Sequence, residues 1–285
     1  MKHSKRTIRR RFIDGLSSNA LVIILVIIWN IPIVWVFAAS FREGAGFLST
    51  TFFPEKLTLQ NYANLFKVTS GIKFVSWVRN TLVIAIVNTF MTTFFTIITA
   101  YTMSRFRFKA RKKLMNIALI LGMFPGFMAM VAVYLILNLL GLIGNIWALL
   151  LVYVSGAGLG FFVSKGYFDT ISKEIDEAAT IDGANQFTIF FKIFLPLAKP
   201  IIVYTALMAF MTPWTDYILA GLILRDPSVM TVAVGLYNMT LENRISTQFT
   251  MFAAGCILVA IPSVILYISL QRFMVEGISA GAVKG

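Results

Sequence analysis

Carboxylates are scarce in this chain, and where they stand limits the chemistry it can do. Asp216 is set inside an apolar run, in Pro213-Trp214-Thr215-Asp216-Tyr217. A charge there is costly and must face a cavity or a partner helix, so it is a polar group either on a path through the membrane or in an interhelical hydrogen bond. Trp214 and Tyr217 beside it offer aromatic surface that suits a sugar ring or an interfacial anchor. A second acidic group, Glu174, Asp176 and Glu177, opens the polar stretch that ends Glu177-Ala-Ala-Thr-Ile-Asp-Gly-Ala-Asn-Gln-Phe-Thr-Ile-Phe-Phe-Lys-Ile-Phe-Leu-Pro196. The single histidine is His3 in the basic N-terminus, and the single cysteine is Cys256 in an apolar span. A Cys/His zinc site, a histidine-dependent triad and an intramolecular disulfide are therefore excluded, and no metal site is expected. The phosphate-cradling Gly-x-x-x-x-Gly-Lys-Ser/Thr pattern is absent too. The chemistry on offer is recognition and docking.

The elements that must position these residues are membrane helices. Of 285 residues 58% are hydrophobic and 13% charged, with mean hydropathy +0.82, too little charge to cover a soluble domain of this size. Spans of about 20 apolar residues are needed to cross the bilayer core. Six are predicted, at 18–40, 80–104, 114–138, 145–165, 198–223 and 250–271. The first is read as an uncleaved helix rather than a signal peptide, because the run Ala20–Ala39 is too long for a signal core and Phe37-Ala38-Ala39 makes a poor cleavage site. The net charge of +13 raises nucleic-acid binding as a rival, but the basic residues cluster beside apolar spans, as topology signals do. With both termini cytoplasmic, 18 of the 25 Lys and Arg residues fall inside, chiefly in the N-terminal segment, in 105–113 and in 165–199. Outside lie 41–79, where Asn61, Tyr62 and Leu65 predict a short amphipathic element, a link near Gly141–Gly144, and 225–249.

The polar loop 166–197 thus lies in the cytoplasm. Ser172 is a predicted N-cap, and the acidic residues complement the positive end of a first helix on which Ile171, Ile175, Ala178 and Ala179 recur at helical spacing. Gly183 provides the helix exit. A second helix carries Phe187, Phe190, Phe191 and Phe194 on one face, Pro196 ends it, and Pro200 suits the first turn of the next span. Small residues at 178 and 179 keep the surface thin for a soluble partner. An amphipathic connector lying on lipid headgroups would also explain the phenylalanines, but not the separations of Glu-Ala-Ala, Gly and Leu-Pro. Gly122–Gly126 and Gly156–Gly160 fit small-xxx-small packing, and Asn88 and Asn138 are expected in helix packing.

Glu177, Ala178, Ala179, Gly183, Ile193, Leu195 and Pro196 match, position for position, the loop by which importer permeases of the ATP-binding-cassette class engage their ATPase. Residues 271–285 resemble the tail of the smaller permease subunit of the maltose-type oligosaccharide importers. The Trp214–Tyr217 element is similar to a Trp-Asn-Asp/Glu element of that group, with Thr215 in place of the usual Asn. The resemblance covers about 75–285. It implies an all-α membrane protein with a five-helix importer-permease (MetI-like) core in 75–285, and a peripheral basic segment, first helix and outer loop in 1–74. The docking residues it implies are Glu177, Ala178, Ala179, Asp182, Gly183, Ala184, Ile193, Leu195 and Pro196, with Gly281 and Lys284 of the tail directed towards the ATPase. The function implied is ATP-driven sugar import across the plasma membrane, maltose or a maltooligosaccharide first. This chain would bind no cofactor, and ATP-Mg would sit on the partners: two ATPases, with a second permease and an extracytoplasmic sugar-binding protein completing the assembly. A permease of the same fold for an amino acid or phosphate, and a secondary carrier, are the alternatives.

Overall fold

The computed structural model describes residues 2–44, 51–67 and 71–282; for residues 2–18, 158, 243 and 274–282 it describes the backbone only. The regular elements among the described residues are helices; isolated bridge residues also occur, among them the antiparallel pair Arg42 and Leu57. The helices are α1 (Lys2–Ser40), α2 (Gln60–Phe66), α3 (Phe74–Arg105), α4 (Arg111–Gly122), α5 (Gly126–Leu139), α6 (Ile146–Thr170), α7 (Glu174–Ile181), α8 (Gln186–Leu197), α9 (Lys199–Thr215), α10 (Ile218–Ile223), α11 (Val232–Met239) and α12 (Glu242–Ala282). Among the described residues four stretches are long and apolar enough to cross a bilayer: Asn19–Ser40, Phe74–Arg105, Ile146–Thr170 and Arg244–Phe273. Two bent pairs, α4 with α5 and α8 with α9, raise the number to six if each counts as one span.

The expected third span is not one straight helix. α4 and α5 meet at 97° across Met123–Pro125. Pro125 has no N–H to continue the ladder and drives Phe124 away from helical geometry, while Gly122 and Gly126 flank the break. A side chain at either glycine would meet no atom of this chain within 4 Å, so the pair marks a bend rather than the close packing their spacing predicts. The fifth span is also divided. α9 runs through Pro213 and stops at Thr215; Asp216 is extended (φ −78°, ψ 108°), and α10 begins two residues later.

The chain forms two compact units. One comprises residues 1–67 and 239–257. In it Ala39, Phe249 and Ala253 are buried together, with Trp35 and Phe252 against them. The short element predicted in 41–79 is α2: Asn61 and Leu65 are buried, and Asn61 Nδ2 donates to the carbonyls of Ser40 (3.0 Å) and Arg42 (2.8 Å). The other unit comprises residues 68–238 and 258–285, with α3 packed along α6 and α9. Its polar residues join helices that have no hydrophobic drive to associate inside a membrane. Asn88 Nδ2 donates to Ala209 O (2.7 Å), and the Ser164 and Thr205 hydroxyls lie 3.2 Å apart. Asn138, expected in helix packing, is exposed.

At the start of α3 the segment after α10 folds back. Trp77 Nε1 donates to Pro227 O (2.8 Å), Asn80 Nδ2 to Ser228 O and Met230 O, and Val232 N–H to Thr81 Oγ1. Gly235 is required there, because a Cβ would fall 2.2 Å from the Trp77 ring.

Candidate functional site

The docking segment is built from α7 and α8. Ser172 Oγ accepts from Glu174 N–H at 3.3 Å, and Glu174, Asp176 and Glu177 occupy the first turn of α7, where they oppose its positive end. α7 ends as Gly183 predicts. With φ at +85°, Gly183 N–H bonds Thr180 O (3.0 Å) and Ala184 N–H bonds Ala179 O (2.9 Å), the paired bonds of a Schellman turn. Asn185 then caps α8, its Oδ1 accepting from Thr188 N–H at 2.8 Å. Two capped ends five residues apart fix the angle between the helices.

The phenylalanines do not share one face. Ile189–Phe194 is wound as a π-helix, whose i→i+5 hydrogen bonds change which residues align. Phe190 and Phe194 turn inward, with ring centroids 4.6 and 4.7 Å from Tyr101, and Phe168 closes on Phe194 at 4.8 Å. Phe187 and Phe191 point outward, on a cleft of about 440 Å³ shared with Phe94, Ile98 and Phe106. Pro196 does not end α8, which continues to Leu197; the 78° turn into α9 comes at Ala198 (φ −86°, ψ 3°). Pro200 sits in the first turn of α9, as expected.

Of the docking residues, Glu177, Ala178, Asp182, Gly183 and Pro196 are exposed, Ala184, Ile193 and Leu195 half-buried, and Ala179 buried. Ile181 is 86% and Phe187 77% exposed, the most exposed of the large apolar side chains on this segment. A cleft of about 380 Å³ between α7 and the C-terminal end of α3 is lined by Arg105, Lys173, Asp176, Glu177, Thr180 and Gln186 among others. Arg105 Nε lies 2.8 Å from Asp176 Oδ2. Burial raises the Asp176 carboxyl above its ordinary value, the Arg105 guanidinium opposes the rise, and Glu177 adds to it. Arg105 carried only a topology signal in the sequence, and Asp176 only a helix-end signal; seventy-one positions separate them, and their pairing has no local signature. Gly281 lies in the backbone of α12, and Lys284 lies outside the described residues.

The three path candidates separate. Trp214 is buried against Phe210, its Nε1 without a hydrogen-bond partner among the described residues. Asp216 is held on both oxygens: Tyr153 OH donates to Oδ2 at 2.7 Å and Leu219 N–H to Oδ1 at 3.0 Å. Tyr217 opens on a cleft of about 630 Å³, its ring 4.6 Å from that of Tyr237, with Arg225 and Asn238 also on the wall. Sequence reasoning missed a further groove of about 450 Å³ beside α3, α6 and α9, bearing Thr92, Thr96, Tyr153, Tyr204 and Thr212. Gly156 and Gly160 line this groove instead of packing against another helix of this chain. On α3 the signal was present, since Asn88, Thr92 and Thr96 recur every four residues; that this stripe meets hydroxyls of α6 and α9 has no local signature, and helix packing gathers them.

Comparison with known proteins agrees with this architecture. Residues 92–279 match the family described as "Binding-protein-dependent transport system inner membrane component". The chain is 37% identical over 277 residues to the galactooligosaccharides transport system permease protein GanQ of Bacillus subtilis (strain 168), covering 97% of this chain and 98% of that one. It is 36% identical to the maltodextrin transport system permease protein MdxG of the same organism, covering 96% and 98%. It is 35% identical to the maltodextrin transport system permease protein MalD of Streptococcus pneumoniae (strain ATCC BAA-255 / R6), covering 98% of each. In fold it resembles a crystal structure of a bacterial ABC transporter involved in the import of the acidic polysaccharide alginate, with TM-score 0.77 at 24% identity over 91% of this chain and 96% of that one. An all-α, multi-pass architecture, a family match over two-thirds of the sequence and relatives above 30% identity along nearly all of it lead to one assignment: the chain belongs to the family of binding-protein-dependent transport system inner membrane components.

Proposed function

We propose that this chain is one of two permease subunits of an ATP-driven sugar importer, and that α7–α8 is where an ATPase docks. The observation that carries the reading is the docking segment itself. It is polar, capped at both inner ends and anchored by Phe190 and Phe194, yet it leaves Ile181 and Phe187 exposed. Exposed large apolar groups beside acidic ones fit a protein interface better than a lipid-lying helix, which would bury its phenylalanines together. A separate subunit supplies ATP hydrolysis, and an extracytoplasmic binding protein delivers the substrate. Nucleotide-driven movement of the ATPases shifts the permease pair between inward- and outward-facing populations. Both termini face the cytoplasm on this reading, as the basic bias predicts.

The substrate class is oligosaccharide, supported by relatives whose names specify maltodextrin and galactooligosaccharides. Maltooligosaccharides are the first expectation from the tail and the Trp214–Tyr217 element. The hydroxyl-bearing groove at Thr92, Thr96, Tyr153 and Thr212 offers hydrogen-bonding surface of the kind a sugar needs when it leaves water. Reconstitution with the partner permease, ATPase and binding protein in vesicles tests the reading. Uptake of labelled maltotriose or galactotriose should require ATP and the binding protein. Uptake driven by a proton or sodium gradient without ATP would establish a secondary carrier instead.

A further inference from the structure

The inner end of α3 carries one guanidinium that reaches three elements of the docking region. Arg105 Nε lies 2.8 Å from Asp176 Oδ2 on α7. Its Nη2 donates to Ile171 O, just past the end of α6, at 3.0 Å. Its Cζ stands 5.0 Å from the centre of the Phe194 ring in the π-wound part of α8. The preceding residue adds a second tie, with Ser104 Oγ donating to Asp169 Oδ1 on α6 at 2.6 Å. The Arg105 side chain is only 6% exposed and that of Asp176 20%, so this pair is not of the solvent-screened kind that contributes little. Its hydrogen bonding is also incomplete: Arg105 Nε and Nη1 and Asp176 Oδ1 are buried without hydrogen-bond partners among the described residues, so the 2.8 Å contact with Asp176 is an ion pair and not an aligned hydrogen bond. A buried pair held by packing, with donors and acceptors left over, fixes geometry more than it adds stability.

We infer that Arg105 is a positioning residue that latches the docking segment to α3, so that movement imposed on α7 is passed to α3 and the hydroxyl-bearing groove instead of being absorbed in the loop. The inference rests on the docking reading given above. α3 is the helix suited to this role, because it carries Arg105 at one end and Thr92 and Thr96 on the groove along its length. A planar fork is needed to bind Asp176 and the Ile171 carbonyl together while lying near a ring, and a lysine can hold only part of that arrangement.

The test uses the assembled transporter, with Cys256→Ala to remove the native thiol and Thr96→Cys as a reporter. Thr96 is buried in the groove wall, so reaction with N-ethylmaleimide reads movement of α3. ATP should change the rate by about threefold or more with Arg105 present. Arg105→Ala and Asp176→Ala should abolish the response while the ATPase still co-purifies, and Arg105→Lys should retain part of it. A response to ATP in Arg105→Ala equal to that of the parent overturns the inference, and so does a parent with no response. Loss of the ATPase from both Arg105→Ala and Arg105→Lys also overturns it, since Arg105 would then only fold the loop. The readout needs no sugar, so absent maltotriose or galactotriose uptake by the transporter that retains Thr96, alongside an intact ATP response in the Thr96→Cys reporter, would sink the substrate reading and leave the latch standing.

Discussion

Single residues set the angles on which the site depends, and some of them are legible without a structure. Gly183 is one: a glycine after a short acidic helix announces a left-handed exit, and the chain has φ +85° there. No atom of this chain crowds the position, so the cost of a side chain is conformational, about 1–2 kcal/mol. Gly183→Leu should therefore leave the protein in the membrane but misplace α8, with loss of ATPase co-purification or of coupled hydrolysis; normal substrate-stimulated hydrolysis would contradict this. Asp216 was legible as a group needing a partner, but Tyr153 was not, because sixty-three residues separate them. With both its oxygens engaged, Asp216 should act mainly as a joint between α6, α9 and α10. Asp216→Asn and Tyr153→Phe should each lower the thermal stability of the purified complex by about 0.6–1.7 kcal/mol, and less than additively together. Turnover of the surviving complexes should change little; a large fall in turnover at unchanged stability would return Asp216 to the sugar path.

Elements were read well where hydrophobicity runs long and poorly where it is interrupted. The first, second, fourth and sixth spans, each continuous and apolar, appear within several residues of their predicted bounds or extend beyond them. The third failed as a straight helix because window-averaged hydropathy does not register a missing N–H, although Pro125 was present to be read. The phenylalanine face failed for a different reason: an α period was imposed on a π-wound segment, and π winding has no sequence signature comparable to a proline. The proline explanation of the third-span break can be tested. Pro125→Ala restores a donor and should reduce the 97° bend, lengthening the distance between spin labels at Leu114 and Leu135. An unchanged distance would assign the bend to the flanking glycines or to packing.

At the scale of the whole molecule, the basic bias predicts an orientation and the docking segment predicts a partner. With the polar loop inside, cysteines at Thr58 and Asn243 should react with an impermeant thiol reagent added to intact cells, and one at Lys109 should not; labelling at Lys109 would reverse the orientation. The central claim is that α7–α8 meets an ATPase, and proximity measures it most directly. A photo-cross-linking amino acid is placed in turn at Ala178, Ile181 and Phe187, and as a control at Leu135, which is exposed on α5. The three docking positions should each give an adduct of this chain with the ATPase, and the control should give none. Adducts with lipid alone from all three positions, in a complex that still imports sugar at the expense of ATP, would contradict the docking assignment.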